Sequence, residues 1–460
     1  MRTLDNIDRI PTPPAQQLLD DYVLRRRPVI ITDLFADLPI RGIDTAERAL
    51  EEFPDLPVVV QPNYMTSLLE RGTTGETRRT TLGQFLAQIE ADPDTDDYCI
   101  EYDTPPQMDA FIQPTEHCRL IDPDDVRPLM FVAAPGNFAH LHYDGDQRHV
   151  LMYQVFGRKR YTIIDAREGR KVAPLSDPSM QRTSSLFLQN FSEDDKLAFL
   201  EYANAWDCVL SPGETLLMPM MAWHYVEYLD ASMSVSYRLG RNRYTRFLAE
   251  SVPIPSPYLQ RLAVEFIDEQ ALTPQHLAAF AMLQDVSRRP YPTGEDRARA
   301  LDACCMQLCA ELDPQWSRAY TFYDHQRRES LERVVEPDGA PGADLPTPEA
   351  PAPAPAPDWE GTDLVSLTPE TMVLMPLGDV GGKPSVILAR HGRLELRLTI
   401  DAARPWLLDL LRTVSDGAVL SVSDLAQACG ADVAEIRPVL AQLHERGWVA
   451  VPQGSEPAPV

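Results

Sequence analysis

"HLHYDGDQRH", residues 140–149, places three of the chain's nine histidines and two aspartates within ten positions. If "FAHLHYD" is a strand, His140, His142 and Asp144 face one way, because strand side chains alternate with a period of two. Two donors two residues apart can then grip one metal ion, with a third supplied from elsewhere. "LSPGETLLMPMMAWHYV", residues 210–226, offers that third donor: Pro212 and Gly213 turn the chain, "ETLLMP" reads as a strand, and His224 follows. A His-x-Asp pair with a distant histidine is the 2-His-1-carboxylate set that holds non-haem Fe(II) and leaves coordination positions open. A second grouping stays open at this stage. His140, His142 and His224, with Asp146, would form a three-histidine set suited to Zn, Mn or Ni.

The His-x-Asp reading gains weight from the next stretch, "YQVFGRKRYTIID", residues 153–165. Lys159 lies 17 residues after His142, across a strand and a turn. The chain has only four lysines, Lys159, Lys171, Lys196 and Lys383, among its 42 basic residues, so a lysine here is a rare choice. An ammonium beside an iron site is the expected counter-charge for the distal carboxylate of a 2-oxo acid. The plainer reading makes Lys159 one charge in a surface "RKR" turn.

Around these motifs, from about 98 to 245, the chain reads as short strands with Gly/Pro turns: "YCIEYD", "LMFVAA", "HVLMYQVFG", "KRYTIID", "DCVLSPGETLLMP", "HYVEYL" and "SMSVSYRLG". That texture predicts a barrel or a sandwich. Upstream, "PAQQLLDDYVLRRR" reads as a helix and "PVIITDL" as a strand. Thr81 is the expected N-cap of a helix carrying Leu82, Phe85, Leu86 and Ile89.

"HYD", "QVFGRKRYTIID" and "SPGETLLMPMMAWHYV" resemble the JmjC/cupin-8 family of Fe(II)- and 2-oxoglutarate-dependent oxygenases, as do "RRPVIITDL" and "TTLGQFL" nearer the N-terminus. The similarity covers roughly residues 15 to 245. It implies a mainly β fold with added helices, a double-stranded β-helix (cupin, or jelly-roll) barrel. It implies that His142, Asp144 and His224 hold Fe(II), that Lys159 holds the co-substrate 2-oxoglutarate, and that Ser236, twelve residues after His224, adds a hydroxyl to the same carboxylate. No catalytic residue is expected beyond the metal centre. Three positions depart from the family pattern: Met221 stands where glycine is usual before "xWH", Ala139 where Thr or Ser is common, and Met152 where some members have Asn.

The implied reaction is 2-oxoglutarate-dependent hydroxylation of a side chain in a protein or peptide, yielding succinate and CO2. Demethylation would follow if the target were N-methylated. The layout also resembles ribosomal-protein oxygenases, whose substrate is a residue of a basic protein. Two rival readings remain at this stage: a non-redox metal-binding cupin, and a regulatory scaffold that recruits a partner through its C-terminal module.

The domain boundaries follow composition and pattern. Residues 1–250 are expected to form the barrel with an N-terminal elaboration, and 251–335 a helical region that either docks on the barrel or makes a homodimer. Residues 336–358, "EPDGAPGADLPTPEAPAPAPAPD", are a Pro/Ala-rich linker that cannot build a core. Residues 359–455 read as a winged-helix-like module of strands, then helices, then a terminal strand. Winged helices often read DNA, but residues 359–460 carry 8 basic and 13 acidic residues, and a groove reader should show a basic footprint. Its strand-then-helix order also resembles leader-peptide-binding domains, which would make a precursor peptide the substrate.

The whole chain has a net charge of −27, from 42 basic and 69 acidic residues. That opposes nucleic-acid binding, which depends on neutralising phosphates, and suits a basic protein or peptide partner. No run of about 18 uncharged apolar residues predicts a membrane span. The N-terminus lacks a hydrophobic signal core. Cysteine is sparse, with Cys304, Cys305 and Cys309 on an apolar helical pattern, so buried thiols in a reducing cytoplasm are expected.

Overall fold

The structure of the protein is a computed structural model. It describes residues 2–66, 76–172, 174, 182–184 and 186–317, and in the C-terminal part 364–367, 371–374, 385–390, 393–399, 406–415, 420–445 and 448–450. The chain divides into two compact units. One comprises residues 1–166, 182–190 and 204–305; the other comprises 167–181, 191–203 and 306–460.

The first unit is built on strands β1 (Arg9–Ile10), β2 (Val29–Ile31), β3 (Pro57–Pro62), β4 (Arg78–Thr81), β5 (Asp97–Asp103), β6 (Arg127–Ala133), β7 (Phe138–His142), β8 (Val150–Phe156), β9 (Lys159–Ile164), β10 (Trp206–Leu210), β11 (Thr215–Met218), β12 (Trp223–Tyr228) and β13 (Ser232–Arg238). The larger sheet runs β1-β2-β11-β8-β13-β6-β5-β3-β4 and the smaller β10-β9-β12-β7. From β6 to β13 the chain shares its strands equally between the sheets, with antiparallel pairing throughout. This is the paired-sheet barrel that the strand texture predicted.

Alternation sorts the side chains into two cores. Leu129, Phe131, Val150, Met152, Tyr161, Ile163, Leu216, Val226 and Tyr228 meet between the sheets. Met130, Val132, Leu151, Tyr153, Leu217, Val235 and Tyr237 point the other way, into a layer with Leu18, Phe35, Leu82 and Phe85 of the N-terminal elaboration. β13 shows the rule most plainly. Met233, Val235 and Tyr237 join the outer layer, so Ser232, Ser234, Ser236 and Arg238 face the barrel interior.

Local sequence explains most of the added helices. Thr81 caps Leu82–Ala91 by accepting from the Gln84 amide, 3.2 Å. Thr273 caps Pro274–Arg288, where Pro274 supplies the preset first turn and His276 closes the capping box. The predicted N-terminal helix is shorter than its pattern suggests: Ala15–Leu18 is α-helical and Leu19–Val23 widens to a π turn. All seven cysteines are buried thiols. Among the described residues no helix is long and apolar enough to cross a membrane.

A buried ion pair locks the outer face of the smaller sheet. Arg160 donates to both oxygens of Asp207, 2.9 and 3.1 Å, and neither side chain is more than 1% exposed. Thr162 and the Leu4 amide complete the carboxylate's bonding, at 3.2 and 3.0 Å. Glu227 is the remaining acid on Arg160, 3.5 Å from Nη1 and at the edge of the pair. Asp207→Ala removes the two-oxygen partner and is expected to cost roughly 2–4 kcal/mol of stability in denaturant titration. A loss under about 1 kcal/mol would mean that Glu227 or water takes over the charge.

In the second unit, Leu364–Leu367 pairs with Leu420–Ser421 and Val449–Ala450. Thr371–Leu374, Ser385–Arg390 and Arg393–Thr399 make a separate antiparallel sheet. Helices Trp406–Ser415, Val422–Cys429 and Val433–Glu445 bury Leu410, Leu425, Ile436 and Leu440 with Val365 and Trp448 in one core. The Pro/Ala-rich run 336–358 lies outside the described residues.

Candidate metal centre

His142 ends β7 and stands directly across the sheet from His224 on β12. Their ring centroids are 4.3 Å apart. Asp144 follows two residues beyond the strand end, its Oδ1 3.7 Å from His142 Nε2. One ligand atom from each of His142, Asp144 and His224 lies within 4.8 Å of the other two. Among the described residues no other group of His, Cys, Asp and Glu gathers in this way.

Each imidazole is oriented by its own backbone. His142 Nδ1 lies 2.5 Å from the His140 carbonyl, and His224 Nδ1 lies 3.1 Å from that of Ala222. A carbonyl can only accept, so Nδ1 carries the proton and the Nε2 lone pair is left for a metal. Burial, then the neighbouring His224 ring, pushes the His142 pKa down to about 4, which keeps it neutral as a ligand must be. Burial alone would raise Asp144, but the Arg238 guanidinium and the two imidazoles hold it well below the usual carboxylate range. His142 keeps 31% of its side chain exposed, so the cluster opens to solvent there.

The strand reading of 138–144 predicted that His140 shares a face with His142. It does not. Three residues of β7, from His142 back to Ala139, span two of β12, from His224 to Val226. The extra residue is a β-bulge, and a bulge breaks the period of two. Ala139 consequently takes the inward position against the barrel core. His140 turns away, its Nε2 2.8 Å from the Ser184 carbonyl and its ring 5.0 Å from that of Phe187. The three-histidine grouping with Asp146 is thus not assembled. His149 and His117 are also buried, held by the Met220 amide and the Pro13 carbonyl respectively. His276 caps a helix and His444 meets the Val449 carbonyl; His325 and His391 lie outside the described residues.

Lys159 faces the barrel interior, on the same side of β9 as Tyr161 and Ile163. It is 1% exposed. Its ammonium lies 4.1 Å from the Tyr228 ring centroid and 5.6 Å from that of Phe131. Burial drives its pKa well below the ordinary lysine value. No carboxylate pairs with it among the described residues. Ser236 sits between Leu129 and Met152 in the sheet register. Its hydroxyl is fully buried and has no hydrogen-bond partner. An unpaired interior cation and an orphaned interior hydroxyl are what an anionic ligand would satisfy. These residues therefore fit the co-substrate that the family resemblance assigns to them. A neutral-imidazole and carboxylate donor set fits Fe(II) as well.

The three departures from the family pattern have different consequences. Met221 keeps the left-handed backbone that glycine would supply, at φ +60°, so the turn before His224 stays tight despite its side chain. Gln260 donates to the Met221 carbonyl at 2.7 Å and holds that turn. Ala139 and Met152 line the interior as apolar groups and add no hydrogen-bonding partner beside Lys159 and Ser236.

Two supports escaped the sequence reading. Arg238 Nη1 donates to Asp144 Oδ2 at 2.8 Å and to Asp146 Oδ2 at 3.1 Å. The signal was present: "SMSVSYR" alternates, and a charge on the inward phase of a buried strand needs a partner. The helices after the barrel also brace the site from behind. Tyr143, between two candidate ligands, packs edge-on to Trp223 at 4.9 Å and reaches the Ser256 carbonyl at 3.5 Å. Nothing in the helical pattern of 256–305 pointed to that contact.

Residues 14–238 match the cupin-like domain family. Among curated proteins the chain is similar to lysine-specific demethylase 8 of Danio rerio, at 27% identity over 252 residues, covering 50% of this chain and 57% of the relative. It is similar to lysine-specific demethylase 8 of Xenopus tropicalis, at 22% over 239 residues, covering 50% and 52%. Lysine-specific demethylase JMJ30 of Arabidopsis thaliana matches at 28% over 240 residues, covering 48% and 51%. The chain spans about half the length of the curated relatives it matches.

Proposed function

We propose, from the match of residues 14–238 to the cupin-like domain family, that this protein is a JmjC-type Fe(II)- and 2-oxoglutarate-dependent oxygenase that hydroxylates a side chain of a protein or peptide. The observation that carries the proposal is the convergence of His142, Asp144 and His224 within 4.8 Å at the end of a barrel that also encloses an unpaired lysine. Bound iron and 2-oxoglutarate supply the oxidising power, coupling reduction of O2 and loss of CO2 to insertion of one oxygen atom into a C–H bond.

The protein's own residues bind, orient and exclude water. His142 and His224 present Nε2, and Asp144 presents one carboxylate oxygen. Lys159 meets the distal carboxylate of 2-oxoglutarate with a charge-assisted hydrogen bond, and Ser236 donates its hydroxyl to the same group. Leu129, Met152, Ile163 and Val226 make the surrounding wall apolar. Few polar groups in an apolar chamber give orientation at little cost in desolvation. Access is from the His142 side, where the cluster meets solvent.

The substrate is assigned as a basic protein or peptide. The net charge of −27 favours such a partner and disfavours nucleic acid. Residues 359–455 are assigned as a winged-helix-like docking module, and a cytoplasmic location accompanies that reading. All three relatives described above are named lysine-specific demethylases; removal of an N-methyl group would begin with the same hydroxylation, so the two outcomes differ by the target.

The test is O2-dependent release of succinate from protein loaded anaerobically with Fe(II) and 2-oxoglutarate, with candidate basic peptides present. The expected result is succinate formed with a peptide that gains one oxygen atom in mass, or that releases formaldehyde if N-methylated. Tight iron binding with no succinate across the peptide set would favour the non-redox cupin instead. Ser236→Ala is expected to weaken 2-oxoglutarate binding by about two- to tenfold, the worth of one hydrogen bond of about 0.5–1.5 kcal/mol. It should not destabilise the unliganded protein, because the lost hydroxyl has no partner there. Calorimetric titration and thermal melting check the two halves separately.

A further inference from the structure

The rim of the metal centre carries more negative charge than a single-carboxylate site needs. Asp146 lies two residues beyond Asp144, and both carboxylates bond the same nitrogen, Arg238 Nη1, through their Oδ2 atoms at 3.1 and 2.8 Å. The other oxygen of Asp146 is buried and has no hydrogen-bond partner. The nearest further cation, Arg148, lies 3.8 Å from Asp146 Oδ2. It is already committed to Asp125, donating to its carbonyl at 2.8 Å and to its carboxylate. Arg238 is 5% exposed. The inward phase of β13 fixes its place, opposite Val150 on β8 and Arg127 on β6.

Carboxylates are adaptable ligands. One oxygen or both can bind a metal, and a divalent cation draws in any acid within reach. Without Arg238, Asp144 has a free second oxygen, and Asp146 keeps an unpartnered Oδ1 and an Oδ2 faced only by Arg148 at 3.8 Å. Either would occupy positions that a bidentate 2-oxo acid and O2 require. We propose that Arg238 is a positioning residue that holds Asp144 to one-oxygen ligation and keeps Asp146 out of the coordination shell, so that three positions stay open. This rests on the metal-centre reading above. It assigns to Arg238 a role in keeping the site open, distinct from holding the metal, and makes Asp146 the acid that would otherwise compete.

The test uses Mn(II), which does not turn over, and separates two affinities in the full-length protein. Mn(II) binding is read by electron paramagnetic resonance, and 2-oxoglutarate binding to the Mn(II)-loaded protein by calorimetry. In Arg238→Met, Mn(II) is expected to bind at least as tightly as in the parent, because a repelling charge is gone and donors are freed. Affinity for 2-oxoglutarate is expected to fall by at least about tenfold, as ligand positions fill. Adding Asp146→Asn to Arg238→Met should recover most of that loss, since one competing carboxylate is removed. The manganese spectrum should shift in the single variant and move back in the double. A merely structural role predicts otherwise: Mn(II) and 2-oxoglutarate affinities would fall together and Asp146→Asn would restore neither. Either that pattern or unchanged 2-oxoglutarate binding in Arg238→Met overturns the proposal.

If Arg238→Met does not fold, Arg238→Lys takes its place, with and without Asp146→Asn. A lysine side chain ends one bond short of the place Arg238 Nη1 occupies between the two acids, so its ammonium cannot hold both; the same rescue by Asp146→Asn is expected, and its absence overturns the inference. Failure of the parent protein to bind Mn(II) would overturn the metal-centre reading itself, and this inference with it.

Discussion

Asp144→Ala is expected to lower affinity for Fe(II) or Mn(II) by more than about 100-fold, because even the outer partners of metal ligands are worth roughly 10–100-fold. Asp144 is the only anionic member of the cluster, so its loss leaves two neutral imidazoles to hold a divalent cation. It also leaves Arg238 facing the site with one of its carboxylates gone. A guanidinium pointed at a divalent ion then repels it at close range. Asp144→Asn should behave nearly as badly, since shape is kept and charge is not. His142→Ala should act in the same direction. Turnover of 2-oxoglutarate should vanish in all three. Metal titration by chelator competition measures this directly, and retention of affinity within about tenfold in Asp144→Ala would remove that residue from the ligand set.

Lys159→Met separates co-substrate binding from metal binding. A charge-assisted hydrogen bond contributes about 1.5–3 kcal/mol, so 2-oxoglutarate affinity is expected to fall by roughly 10–100-fold. Metal affinity should stay within about threefold, because Lys159 touches none of the candidate ligands. The variant should also be more stable than the parent when no ligand is present. The parent buries an ammonium with aromatic faces around it and no carboxylate, which is unfavourable.

The pH dependence of Lys159 has a definite sign. Its folded pKa lies below the unfolded value, near 10.5. Between the two, the unfolded chain binds more protons than the folded one, so stability rises with pH across that window. Below the folded value both states carry the proton and the slope vanishes. Lys159→Met should lose this rise, and 2-oxoglutarate should flatten it in the parent by returning a counter-charge to the ammonium. Denaturant titrations from about neutral pH to about pH 10 read all three curves. Equal slopes in parent and variant would place Lys159 in contact with water or with an acid.

The sequence carried the chemistry further than it carried the geometry. His142, Asp144 and His224 were legible because a His-x-Asp pair and a histidine after a Pro-Gly turn form a recognisable set. Lys159 stood out because lysine is scarce in this chain. The strand segments from 98 to 245 were legible because alternation and turn residues are local signals. His140 was misplaced for a physical reason: the period-two rule assumes an unbroken ladder, and the bulge between His142 and Ala139 breaks it. A bulge is set by the partner strand, which the local sequence does not encode. Arg238 was overlooked because its partners lie more than 90 positions away, though the alternation of β13 marked it as inward. The bracing role of the post-barrel helices was invisible for the same reason. Gln260 to Met221 and Tyr143 to Ser256 are contacts between distant segments, and helical periodicity says only that a face is buried, not against what.

The most direct measurement is anomalous scattering from crystals of the protein soaked with Mn(II) and 2-oxoglutarate under anaerobic conditions. One manganese peak is expected, bound by Nε2 of His142, Nε2 of His224 and a single oxygen of Asp144, with the co-substrate's far carboxylate on Lys159. A peak bound by His140 or Asp146, or no peak among the three residues, would contradict the account at its base.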